Sequence, residues 1–165
     1  MNSKKATLCL MIFYLAALAW IILFKLQFSF KELSHIRNIN LIPFKESVIV
    51  NGKLDFDEII QNVLAFIPLG VFIHVIWEEK PIIFRIIPII LTSLILEIIQ
   101  FIFAIGATDI TDIITNSSGG IIGIVIAFAM SKILKNNWKK CINIISLICA
   151  ILLTLLIVLL LVNNV

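Results

Sequence analysis

Six polar side chains stand out in a chain that is otherwise apolar. Three are carboxylates, Glu97, Asp109 and Asp112, and three are carboxamides, Asn62, Gln100 and Asn116. An ionised carboxylate inside an apolar stretch costs about 2.5–3.5 kcal/mol at the centre of a membrane span, so it normally faces a cavity or a partner. Gln100 follows Glu97 at i+3 and shares its helix face. Asp109 and Asp112 have the same spacing just before an apolar run, where a helix N-terminus favours negative charge. Two chemistries fit this set. The carboxylates could exchange protons, or, as hard oxygen ligands, hold a divalent cation that bridges to phosphate. The competing structural reading makes Asp112 the N-cap of the following helix. No metal or cofactor is assigned from the residues themselves.

A second group of residues reads as architecture. Gly119 and Gly123 form a small-xxx-small pair, extended by Ala127, of the kind that lets membrane helices approach closely. Gly120 beside them is placed in the same class. Pro68 and Gly70 fall within an apolar run, which predicts a kinked helix. The lone His74 reads as a packed or hydrogen-bonded residue. Cys9, Cys141 and Cys149 lie in apolar blocks without metal-ligand spacing and read as small packing residues.

The elements that must position these groups are membrane helices. Of the 165 residues, 61% are hydrophobic and 14% charged, against roughly 45–50% and 25% in soluble domains. The excess falls into blocks near the ~20 residues needed to span a bilayer. They predict an all-α integral membrane protein, a single membrane domain over 1–165, with about five transmembrane helices at 6–24, 59–77, 86–105, 113–131 and 141–162. Pro88 falls in the first turn of the third. Ala17-Leu18-Ala19 resembles a signal-peptide cleavage site, but the apolar run continues to Phe24, so the first helix is expected to be retained. Residues 25–58 form a long connection with five basic and five acidic residues. It holds the apolar patch Asn40–Phe44 and the turn signal Asn51-Gly52, and is expected to lie on the membrane surface. No phosphate-binding glycine loop, GxSxG or HExxH is present, and the balance of the reading leans away from an enzyme. A net charge of +3 gives no reason to invoke nucleic acid.

Basic residues set the orientation. With the N-terminus inside, the cytoplasmic segments carry Lys4, Lys5, Lys80, Arg85, Lys132, Lys135, Lys139 and Lys140. The short external segments carry none, which favours N-inside and C-outside. The polar residues then gather toward the outer ends of the second, third and fourth spans.

The order of five stretches resembles the VanZ-like family of small bacterial membrane proteins. They are Asn40-Leu41-Ile42-Pro43-Phe44, Asn62 through Gly70, Glu97-Ile98-Ile99-Gln100, Thr108-Asp109-Ile110-Thr111-Asp112, and Asn116 through Gly123. The resemblance covers about residues 40–130. Many members carry an arginine shortly before the first aspartate, where this chain reads Gly106-Ala107-Thr108. The family takes its name from a member linked to resistance to the glycopeptide teicoplanin, so the resemblance implies a role at the bacterial cell membrane. Two functions follow as expectations. The first is a non-enzymatic envelope protein that lowers glycopeptide susceptibility, its outward cluster meeting a lipid-linked wall precursor or a lipoglycopeptide. The second is a membrane enzyme on a lipid-linked or polyprenyl-phosphate precursor, with Glu97, Asp109 and Asp112 as metal ligands or acid/base groups. A scaffold or transporter ranks last, since no internal repeat is visible and the polar groups favour one face.

Overall fold

A computed structural model describes residues 4–24, 39–44, 49–50, 53–54, 56–105 and 108–163. In lipid every backbone N–H and C=O must be satisfied within the protein, so long apolar runs fold as helices. Five form: α1 (Lys4–Phe24), α2 (Asp57–Ile76), α3 (Ile82–Phe103), α4 (Ile110–Leu134) and α5 (Trp138–Asn163). By length and hydropathy, four stretches among the described residues can cross a membrane, and the last runs from Ile110 to Leu159. At ~1.5 Å per residue that stretch is too long for one ~30 Å core. A 3-10 turn at Lys135–Asn137, entered through Lys135 at φ 48, divides it into α4 and α5.

The helices overrun the expected spans because charge marks where water begins, not where a helix ends. α3 starts at Ile82, directly after Pro81 at φ −54 and ψ 151. Arg85 is therefore inside the helix rather than in the turn, and Pro88 is in the helix interior rather than its first turn. Thr92 Oγ1 donates to the Pro88 carbonyl at 2.8 Å. α4 starts at Ile110, and its N-cap is Asp109, not Asp112. Asp109 is extended (φ −121, ψ 128) and its carboxylate accepts from Thr111 N. Asp112 lies in the first turn instead. α2 runs unbroken through Pro68. The Tyr14 hydroxyl of α1 donates to the Ala65 carbonyl in the turn that Pro68 loosens.

Among the described residues are four two-residue strands. β1 (Ile39–Asn40) pairs in parallel with β4 (Thr108–Asp109), with Asn40 opposite Asp109. β2 (Ile49–Val50) pairs antiparallel with β3 (Lys53–Leu54). The turn residues Asn51 and Gly52, and most of the 25–58 connection, lie outside the described residues.

α2 and α4 form the centre of the bundle. A Cβ added to Gly123 would sit 2.0 Å from the Ile67 carbonyl oxygen, and one on Gly119 would sit 2.1 Å from that of Val63. A Cβ on Gly70 would meet the Gly120 oxygen at 1.9 Å. These are backbone-to-backbone approaches that only glycine permits. Gly120 instead meets the Ile89 side chain of α3. Around this seam lies a core of Leu18, Leu23, Phe66, Leu69, Ile73, Ile89, Leu96 and Ile124. A smaller cluster of Val75, Ala127, Trp138 and Ile142 closes the other end. α1 is tied to α5 by Thr7 Oγ1 donating to Asn143 Oδ1 at 2.9 Å, both side chains buried. Cys9 and Cys149 are exposed on helix surfaces rather than packed, and all three cysteines are free.

Candidate functional site

The end of the bundle where α3 stops and α4 begins carries the polar groups. After Phe103 the chain reverses through Ala104 in the left-handed region (φ 54), and the Ile105 amide donates back to the Gln100 carbonyl. β4 then descends alongside α3. The Asp109 amide donates to Glu97 Oε2 at 3.2 Å, and Thr108 Oγ1 donates to the Glu97 carbonyl at 3.3 Å. Glu97 is buried at 1% exposure. Its second oxygen, Oε1, is buried and has no hydrogen-bond partner among the described residues.

Asp109 joins three elements. Its Oδ1 accepts from Thr111 N at 2.8 Å, capping α4, and its Oδ2 accepts from Asn40 Nδ2 at 3.0 Å. Asn40 in turn accepts from its own loop, its Oδ1 taking the Ile42 amide at 3.1 Å. The Phe44 amide donates to Thr111 Oγ1 at 3.0 Å. One turn into α4, Asp112 Oδ1 accepts from Asn62 Nδ2 of α2 at 2.8 Å. Asn40, Asn62, Glu97, Asp109 and Asp112 therefore converge from β1, α2, α3, β4 and α4.

The other two residues of the set point elsewhere. Gln100 Nε2 donates to the Ile22 carbonyl of α1 at 3.1 Å. Asn116 is fully buried and donates to Ser93 Oγ at 3.0 Å. Ser93 lies four residues before Glu97, one turn deeper on the same face of α3. Gln100 Oε1 and Asn116 Oδ1 also lack partners among the described residues. The carboxamides spend their donors inside the fold and leave acceptors over. The unspent capacity beside Glu97 consists of oxygens, which can accept from a donor such as water, a hydroxyl or an ammonium group. Among the described residues no three His, Cys, Asp or Glu side chains gather as a metal site.

Sequence reasoning passed over Ser93 and the wider role of Asn40. Spacing could have found Ser93, because i−4 from Glu97 is the same helix face. Asn40 was visible only as part of a short motif, since its role depends on pairing with Asp109 across 69 positions. Arg85 and His74 were also underrated. They meet at the opposite end, where Arg85 Nη1 lies 2.8 Å from His74 Nδ1 and Arg85 Nη2 donates to the Glu78 and Lys80 carbonyls.

A family model described as VanZ/LLP1 matches residues 11–135, which include every residue of the cluster. Protein VanZ of Enterococcus faecium is 40% identical over 151 residues, covering 90% of this chain and 89% of that protein. No solved structure matches. A family match over most of the chain and a full-length relative agree: the chain, a helical membrane protein, belongs to the VanZ family.

Proposed function

We propose that this protein acts at the outer face of the bacterial cell membrane and lowers susceptibility to glycopeptides of the teicoplanin type without catalysing a reaction. The polar cluster around Glu97 and Asp109 is its working site. The ligand is a lipid-linked wall precursor or the lipid-tailed drug itself. The observation that carries this reading is the buried Glu97 Oε1, left without a partner inside a cluster whose other carboxylate contacts are filled by amides. Leaving a buried acceptor unmade costs roughly 1–3 kcal/mol. A cost of that size is repaid when a ligand donor completes the bond. The basic residues Lys80, Lys132, Lys135, Lys139 and Lys140 belong to the opposite connections, and the positive-inside rule then puts the cluster outside. That is where glycopeptides act.

The alternative of a membrane enzyme with Glu97, Asp109 and Asp112 as metal ligands has less support. The amide of Asp109 and the carboxamides of Asn40 and Asn62 already occupy oxygens of those carboxylates.

The test is expression in a susceptible bacterium with teicoplanin susceptibility as the readout. The parent protein should protect, whereas Glu97→Gln and Asp109→Asn should abolish protection at unchanged membrane levels. If both variants protect as well as the parent, or the parent gives no protection, the reading fails.

A further inference from the structure

We infer that Asn40–Phe44, together with Thr108–Asp109, is a re-entrant segment seated at the headgroup–acyl boundary of one leaflet, its apolar side against lipid. The polar cluster is thus roofed by lipid-facing backbone rather than open to bulk water.

Two depth marks place the segment. β4 meets α3 at Glu97, and α3 continues six residues further to Phe103. At ~1.5 Å per residue that is about 9 Å of helix above the contact. Independently, Asp112 meets α2 at Asn62, five residues after α2 begins at Asp57. That is about 7–8 Å of helix above it. β1 pairs residue for residue with β4 and shares its level. The helix surfaces at this level are apolar and exposed, including Leu64 on α2 and Ile98 and Ile102 on α3.

The segment is two-sided. Asn40 faces inward at 6% exposure, while Leu41 is 72% exposed and Ile39, Ile42 and Phe44 are exposed beside it. Two of its amides are met by side chains of the protein. The Ile42 amide is taken by Asn40 Oδ1, the Phe44 amide is taken by Thr111 Oγ1, and Pro43 has no N–H to satisfy. Non-helical backbone at membrane depth is tolerated only when its polar groups are met by protein. The occupant of the apolar side is the bilayer itself, because the patch sits at the depth of the lipid-facing helix surfaces. The inference bears on the proposed function without depending on it.

The experiment reads depth directly. An environment-sensitive fluorophore is attached at Leu41→Cys in a Cys9→Ala, Cys141→Ala, Cys149→Ala background, and the protein is reconstituted in phosphatidylcholine–phosphatidylglycerol vesicles. Quenching by lipids spin-labelled near the headgroup is compared with quenching by aqueous iodide. Lys135→Cys, in the turn between α4 and α5, is the water-exposed reference. The expected result is loss of most emission at position 41 to the lipid quencher and little to iodide, with the reverse at position 135. Ile42→Cys should repeat the result, which guards against a local disturbance at Leu41. Iodide quenching at 41 and 42 as strong as at 135 would overturn the inference.

Discussion

The two ends of the helical bundle satisfy their polar groups in different ways. At the α2–α3 turn, a guanidinium beside an ion pair meets the turn carbonyls and His74 Nδ1, and His74 Nε2 alone is left buried without a partner among the described residues. Arg85 bridges His74 and the carbonyls of Glu78 and Lys80, while Lys139 pairs with Glu78 at 2.8 Å. Around it, His74 packs against the rings of Phe128 and Trp138. At the other end, Glu97 and Asp109 are met by amides, and buried acceptors are left over. One end leaves a single ring nitrogen over among the described residues. The other is organised but incomplete. Buried polar groups in native proteins are overwhelmingly satisfied, so the end with more unmade acceptors is the one proposed to take a ligand, and the Arg85 end is the better closed of the two.

The largest predicted effect destroys both ends at once by separating the helices that connect them. Gly123→Leu places a side chain where even a Cβ would lie 2.0 Å from the Ile67 carbonyl oxygen. Overpacking of a tight core costs about 1–3 kcal/mol or more, and here backbone must move. The variant should be nearly absent from the membrane by immunoblot. Gly120→Ala should be milder, since its Cβ meets the Ile89 side chain rather than backbone.

Arg85→Ala attacks the closed end alone. It strands His74 Nδ1 and two turn carbonyls. Hydrogen bonds to a charged donor are worth about 1.5–3 kcal/mol, so the detergent-solubilised protein should unfold several degrees earlier. Glycopeptide protection by whatever protein remains folded should be unchanged. Loss of protection per folded molecule would show that the two ends are coupled. Asn40→Ala works at the incomplete end. It removes the donor to Asp109 Oδ2 and the acceptor for the Ile42 amide, at about 1–2 kcal/mol. Its thermal shift should be smaller than that of Arg85→Ala, and it should bring iodide to a fluorophore at Ile42→Cys by unpinning the segment.

The helices were legible because each apolar block approaches the length of a bilayer span, and the place of Asp109 and Asp112 at the start of a helix was legible from the apolar run that follows them. What escaped was whatever depends on contact between distant residues. The exchange of roles between Asp109 and Asp112 turned on where α4 begins, and that is fixed by β4 pairing with β1 rather than by helix propensity. Two residues per strand leave no alternation to detect. Arg85 was read as a loop cation because charge was taken to end the span. Its long stem instead lets it sit in α3 while its guanidinium reaches back over the turn. Gln100 was grouped with the cluster because it shares the helix face of Glu97 at i+3, and Asn116 because it opens the fourth span at the same end. The structure sends their donors to Ile22 and Ser93.

The smallest predicted effect on stability carries the sharpest test of the comparison. Glu97→Gln keeps one oxygen to accept the Asp109 amide. The new NH₂ takes the place of Oε1, on the face of α3 shared with Gln100 and with Ser93, which binds Asn116. If the unfilled acceptors there are a cost held open for a ligand, the substitution supplies an internal donor for them. The melting temperature should then stay level or rise slightly, within about 1 kcal/mol, while protection against teicoplanin is lost. A structural carboxylate behaves in the opposite way, because removing one partner of a satisfied buried network destabilises it. A marked drop in melting temperature for Glu97→Gln, matching that of Arg85→Ala, would mean that both ends are joints of the same kind and that the ligand binds elsewhere.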